Sequence, residues 1–207
     1  GPVLLLAVPG SGKTTVLVTR LGYMIHCKGI DPRRILTVTY TVAATKDMAA
    51  RFAAKFGPEL AEQLEFRTIN GICAKVLQYY GYRTGKTPHQ LLNDENRIAG
   101  ILAEIYQRVE RVYPTDGDLK NIRMLITYIK NMMLNEDEIE ALDEGAECKI
   151  SVIYREYCSK LKELQMIDYD DQMVYALRIL RQHPRILEEF QGRFRYFCVD
   201  EAQDTSK

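Results

Sequence analysis

The chain has no tryptophan, only three histidines, and five cysteines that form no Cys-x-x-Cys pair, His26 beside Cys27 being the one close His–Cys neighbour. Cys27, Cys73, Cys148, Cys158 and Cys198 are therefore expected to be buried free thiols of a reducing compartment, which excludes zinc, iron–sulfur clusters and disulfides. His26, His89 and His183 are scattered in the same way, so no metal centre is read from them. Long apolar runs are missing too. Val3 to Val8 is too short to cross a bilayer and has no basic region before it, so it is expected to be a strand and not a signal peptide, in a cytoplasmic protein without a membrane partner. Net charge is also absent, with 28 bases against 28 acids, a balance that taken alone argues against a nucleic-acid partner. The acids are unevenly spread, however. Residues 136–147 hold seven of them and no base, leaving 28 bases against 21 acids elsewhere, so a basic face remains available.

What the chain does have is a glycine-rich turn in a telling place. Ala7-Val8-Pro9-Gly10-Ser11-Gly12-Lys13-Thr14 follows the apolar run Val3-Leu4-Leu5-Leu6 and precedes a stretch of helical periodicity. It resembles a phosphate-binding loop, with Ala7 where the usual pattern begins on glycine. Gly10 and Gly12 let the backbone curl with its N–H groups inward, Lys13 can reach the β- and γ-phosphates, and the Thr14 hydroxyl suits Mg²⁺. Pro9, Gly10, Ser11, Gly12, Lys13, Thr14 and Thr15 are thus the expected ATP-binding residues, with the positive end of the helix adding to the anion site.

The other half of such a site is an acid at the tip of a buried strand. Tyr196-Phe197-Cys198-Val199 runs directly into Asp200-Glu201, the pattern of a strand buried on both faces whose carboxyl end meets the ligand. Asp200 is expected to ligate Mg²⁺ beside Thr14. Glu201, one residue on, is expected to orient and deprotonate the water that attacks the γ-phosphate, which implies hydrolysis rather than phosphoryl transfer to a small molecule.

Together with Val38-Thr39-Tyr40-Thr41, Met48-Ala49-Ala50-Arg51-Phe52, Arg67-Thr68-Ile69-Asn70-Gly71, Asp168-Tyr169-Asp170-Asp171 and Val199-Asp200-Glu201-Ala202-Gln203-Asp204-Thr205, these motifs resemble the amino-terminal half of a UvrD/Rep/PcrA-type superfamily 1 DNA helicase. The motifs span the whole chain in the family's order. Val8 stands where glycine is usual, Val42-Ala43 replace a common Asn-Lys, and Ile69-Asn70 replace a common Phe-His. The resemblance implies ATP and Mg²⁺ as cofactors, Gln203 as a further catalytic residue, and contacts to single-stranded DNA from Thr39, Tyr40, Thr41, Thr68 and Asn70. Hydroxyls and an amide can bond phosphate without reading sequence, and a tyrosine ring stacks on any base. It further implies 3′ to 5′ translocation, unwinding at single-strand/duplex junctions, and a second RecA-like domain of the same protein that supplies charge-neutralising arginines. Three other readings remain: the motor portion of an AddA/RecB-like helicase–nuclease, a non-enzymatic nucleotide-gated DNA-binding module, and a small-molecule P-loop kinase.

The expected fold class is α/β: a P-loop NTPase (RecA-like) parallel sheet in residues 1–84 and 184–207, interrupted by an all-helical insertion, 85–183, which the resemblance identifies with the family's domain 1B. Strands are expected at Ile35 to Tyr40 and Phe66 to Thr68, with a helix from the second of these ending at Gly81. Helical stripes run through Ile98, Ile101, Leu102, Ile105, Tyr106 and Val109, through Leu119, Ile122, Leu125, Ile126 and Ile129, and through Ile150, Ile153, Tyr154, Tyr157, Leu161 and Leu164. Asp170 is expected to cap the next helix. Tyr80 reads as core, leaving Tyr79 and Tyr82 as the candidates for a stacking platform, and Lys46, Arg51 and Lys55 read as a solvated face. Because the chain begins and ends beside expected core strands, it reads as an excised, monomeric piece that binds nucleotide weakly and is inactive or nearly so alone.

Overall fold

The computed structural model describes residues 3–6, 8 and 11–202. Two compact units emerge, one running to Ile72 and resuming at Leu180, the other Cys73–Ile179. In the first, α1 (Lys13–His26), β1 (Ile35–Thr39), α2 (Val42–Phe56), α3 (Pro58–Ala61) and β2 (Glu65–Thr68) lead into α4 (Ile69–Thr84). The second takes the later turns of α4 and adds β3 (Gln90–Leu91), α5 (Glu95–Glu110), α6 (Asp116–Met132), α7 (Glu136–Ala141), α8 (Ile150–Glu163), β4 (Met166–Ile167) and most of α9 (Tyr169–Gln182). With α10 (Pro184–Arg193) and β5 (Tyr196–Val199) the chain is back in the first unit.

The α/β class with parallel strands is the one observed. β1 lies at the centre of a sheet ordered β2-β1-β5, parallel to both neighbours, and all five of its residues are buried. Its alternation sorts two cores. Ile35 packs with Val18, Leu21 and Met24 of α1 and with Met48 and Phe52 of α2, whereas Leu36 and Val38 pack on the other side with Ile69, Ile72, Phe190 and Phe194. Helices on both faces of a parallel sheet explain why β1 reads as a continuous apolar and β-branched run.

Several expectations need correction. Among the described residues Val3–Leu6 and Val8 form no strand, and Val3 and Leu6 are more than four-fifths exposed. Apolar patterning marks a segment able to become a strand, but a strand exists only with a ladder partner, and among the described residues β5 pairs with β1 alone. For the same reason β5 is an edge strand, with Phe197 59 % and Val199 43 % exposed rather than buried on both faces. α4 passes Gly81 and ends at Thr84, where Gly85 takes the left-handed conformation (φ +69°). All five cysteines are free, but Cys27 is exposed at the C-cap of α1. Burial pushes the Cys73 thiol up to about 11, away from thiolate reactivity.

The second unit is helical apart from the two-residue parallel pair β3–β4. Its core joins the three stripes read from the sequence, with Ile105, Ile122, Ile129, Ile150, Ile153 and Tyr157 almost fully buried. The two compact units divide within α4 and α9. No helix among the described residues is long and apolar enough to cross a membrane.

A polar knot sits inside this apolar core. Lys130 of α6 is buried, with its ammonium 2.6 Å from Asp168 and 2.9 Å from Asp171 and 5.1 Å from the Tyr157 ring centre. The Tyr157 hydroxyl donates to Asp168 at 3.2 Å. Asp168, not Asp170, caps α9, its carboxylate accepting from the Asp171 amide at 2.8 Å. Asp170 instead accepts from the Thr127 hydroxyl at 2.8 Å. The residue before a helix is the one whose side chain folds back on the free amides, so the cap falls two residues earlier than the apolar pattern suggested.

Three carboxylates against one ammonium leave surplus buried negative charge, and burial raises the pKa of Asp170 and of Asp171 above the ordinary carboxylate value. A carboxylate held higher in the fold than in the unfolded chain adds stability below its unfolded value, and that stability is lost as the pH rises through the folded value. Asp170→Asn, whose amide oxygen can still accept from Thr127, should therefore melt higher than the parent near neutrality. The two should converge as the pH falls towards about 4. Thermal melts across that range check the sign, and a variant less stable than the parent at neutral pH contradicts it.

Candidate nucleotide and DNA site

The amino-terminal end of α1 and the carboxyl end of β5 meet in one place. Gly12 caps α1 in the left-handed conformation (φ +83°), where a side chain would be strained, and no side chain supplies a hydrogen bond to the first turn. The Ser11 amide donates to the Val8 carbonyl at 3.2 Å, and the Val16 amide to the Gly12 carbonyl at 3.0 Å. Ser11 and Thr15 are exposed, and Lys13 and Thr14 half-buried. A helix that starts on a left-handed glycine, with no side-chain cap, offers its first amides to an anion.

Beyond β5, the Asp200 amide continues the sheet by donating to the Val38 carbonyl at 2.9 Å. The Asp200 carboxylate accepts from the Glu201 amide at 3.1 Å, and Glu201 turns into the left-handed region (φ +51°). Such a backbone costs about 1 kcal/mol or more in a non-glycine residue and persists where surrounding contacts hold it. The contact here is Lys13, whose ammonium donates to both oxygens of Glu201 at 3.1 and 2.9 Å. Two groups far apart in sequence are thereby brought together, with Thr14 and Asp200 as their chain neighbours. Sequence reasoning assigned both residues to one site but missed their mutual pairing, since no spacing rule reports it. Pro9, Gly10 and Gln203 lie outside the described residues.

The residues expected at DNA divide sharply. Tyr40 follows β1 with 57 % of its surface exposed, and Val42 beside it, not singled out from the sequence, is 61 % exposed. Thr39 is a correction: it is buried, and its hydroxyl bonds the Thr41 carbonyl at 3.1 Å and the Thr45 hydroxyl at 2.5 Å, so its side chain holds the loop and presents nothing to a strand. Thr41 caps α2, accepting from the Ala44 amide at 3.1 Å. The Thr68 hydroxyl accepts from the Gly71 amide at 3.0 Å, and Thr68 and Asn70 are half-buried. On α2, Arg51 pairs with Asp47 and Lys55 donates to Thr19, as a solvated face does. The i, i+4 spacing of Thr41 and Thr45 was the available signal for this hydroxyl network.

The sequence matches the family described as UvrD/REP helicase N-terminal domain over residues 1–207. It is similar to the ATP-dependent DNA helicase PcrA of Bacillus subtilis (strain 168), at 30 % identity over 209 residues, covering 100 % of this chain and 28 % of the relative. PcrA of Leuconostoc citreum is 28 % identical over 207 residues with the same coverage. The putative ATP-dependent DNA helicase YjcD of Bacillus subtilis is 31 % identical over 208 residues, covering 99 % of this chain and 27 % of that protein. The chain thus spans little more than a quarter of the length of these relatives.

Exposure separates the two residues at the end of β1 experimentally. Tyr40→Ala should leave unfolding free energy within about 0.5 kcal/mol of the parent. Thr39→Val, which keeps the shape but removes the hydroxyl that bonds the Thr41 carbonyl and Thr45, should lose about 1 kcal/mol. Urea denaturation of both measures this, and a large loss in Tyr40→Ala would return the ring to the core.

Proposed function

Because the chain belongs to the UvrD/REP helicase N-terminal domain family, we propose that it is the first RecA-like domain of an ATP-driven DNA helicase, residues 85–183 forming its helical insertion. The longer protein hydrolyses ATP to move 3′ to 5′ along single-stranded DNA and to open duplex at junctions. The carrying observation is the Lys13–Glu201 contact, which supports one site made from the start of α1 and the tip of β5.

In this reading the loop through Pro9, Gly10, Ser11 and Gly12 and the first amides of α1, including those of Thr14 and Thr15, hold the phosphates, and Lys13 exchanges Glu201 for the β- and γ-phosphates. Thr14 and Asp200 hold Mg²⁺, which when bound offsets phosphate charge. The start of α1, with no side-chain cap, and the left-handed Gly12 fit a phosphate group. Released from Lys13, Glu201 orients the attacking water and takes its proton as the oxygen bonds to the γ-phosphorus and the bond to the bridging oxygen breaks. Gln203 acts beside it. Arginines from a second domain supply the remaining charge, so the chain alone turns over ATP slowly or not at all. Tyr40 stacks on bases, with Thr41, Thr68 and Asn70 beside the strand.

Two variants of the longer protein separate binding from chemistry. Lys13→Ala should weaken Mg·ATP binding and turnover together. Glu201→Gln should bind at least as well as the parent, since Lys13 loses a competing carboxylate, and should lose turnover by about 100-fold or more. Titration with a fluorescent ATP analogue beside steady-state ATPase assays reads both. Near-parental turnover in Glu201→Gln removes that residue from the role of base.

A further inference from the structure

From Phe66 to Asn93 the chain carries no acid, four bases (Arg67, Lys75, Arg83, Lys86) and three tyrosines within four residues (Tyr79, Tyr80, Tyr82). Those from Lys75 on belong to the second unit, whereas the loops assigned to DNA above belong to the first. The structure organises their carboxyl-terminal part into a surface. The Arg83 guanidinium lies 6.0 Å from the Tyr79 ring centre and donates to its hydroxyl at 3.4 Å, and the Lys86 ammonium lies 5.9 Å from the Tyr80 ring centre. Gly85 turns the chain back at the end of α4, and the returning segment meets the helix at Gly81, where a β-carbon would come within 2.6 Å of the Lys86 carbonyl and 3.0 Å of Pro88. The Lys86 backbone is therefore folded against α4 at Gly81, and Tyr82, the next residue of the helix, is 84 % exposed and among the most exposed large apolar residues of the described chain. The next carboxylates along the chain are engaged elsewhere: Asp94 caps α5, and Glu95 holds Arg123.

We propose that this surface is a second contact for single-stranded DNA, with the Lys86 ammonium on a phosphate and the Tyr82 ring against a base. The inference rests on the DNA-helicase reading and adds a site to it. Cations set against aromatic rings match a strand that alternates phosphates with flat faces. A duplex hides those faces in its stack, and an acidic peptide would leave the Tyr82 ring without a counterpart, so a single strand fits this chemistry best.

The two contacts leave different signatures in oligo-dT titrations of the longer protein at several salt concentrations. Lys86→Ala should lower the dependence of log affinity on log salt by about 0.7, the value of one phosphate contact on a single strand. Tyr82→Ala should weaken binding about five-fold or more with the salt slope unchanged, and Tyr82→Phe should bind as the parent does. Irradiation of an iododeoxyuridine-substituted oligo-dT should crosslink the peptide containing Tyr82. DNA-independent ATPase should be unchanged in all three variants. Parental affinity and slope in both alanine variants, no crosslink at Tyr82, or a competing oligo-glutamate bound more tightly than oligo-dT each overturns the inference while leaving the helicase reading in place. A parent protein with neither oligo-dT binding nor DNA-stimulated ATPase overturns both.

Discussion

The bidentate contact between Lys13 and Glu201 joins the two ends of the first unit, across 188 positions of sequence. It depends on a topological constraint: parallel strands place their carboxyl ends along one edge, so whatever follows β1, β2 and β5 gathers there. Tyr40 and Thr41 follow β1, Thr68 closes β2, and Asp200 and Glu201 follow β5. The residues proposed to meet DNA and nucleotide thus share an edge because of how the strands run, before any side chain is considered. Buried β1 fixes that edge, with helices on both faces, and the left-handed turns at Gly12 and Glu201 then direct individual groups inward.

The second unit obeys a different constraint. Its core is apolar and read directly from helical periodicity, yet it encloses Lys130 with Asp168 and Asp171. Burial, the largest influence on that ammonium, favours the neutral amine and is outweighed by the two carboxylates, which raise its pKa. Such a knot adds little stability over a well-packed apolar core, but losing one partner leaves a buried charge uncompensated. It tightly specifies the start of α9, the helix that leads the chain back towards β5.

Patterns with short range were legible in the sequence. The helical stripes, β1 and β2, the chain interruption by a helical block and the pairing of a glycine-rich loop with an acidic strand tip all follow from periodicity or from a motif whose residues are contiguous. What was not legible depends on partners far away in the chain. Val3–Leu6 has a strand's composition but no ladder among the described residues, and the apolar side chains of β5 lie at an edge because β1 alone borders it. Thr39 looked available because hydroxyls follow it in a polar run, and only Thr45, a turn into α2, shows that its own hydroxyl is occupied. The Asp168/Asp170 exchange at the cap of α9 was an error of two residues in a cluster where any of three carboxylates satisfied the pattern.

If the start of α1 and the tip of β5 form one nucleotide site, both must respond to the same ligand. Amide hydrogen exchange with and without Mg·ATPγS measures this directly on the chain itself. The account predicts slower exchange at Gly12 to Val16 and at Val199 to Glu201 together, lost in parallel when Lys13 is replaced by alanine, with α5 and α6 unchanged. Protection confined to one of the two segments, or found only in the helical unit, would contradict it.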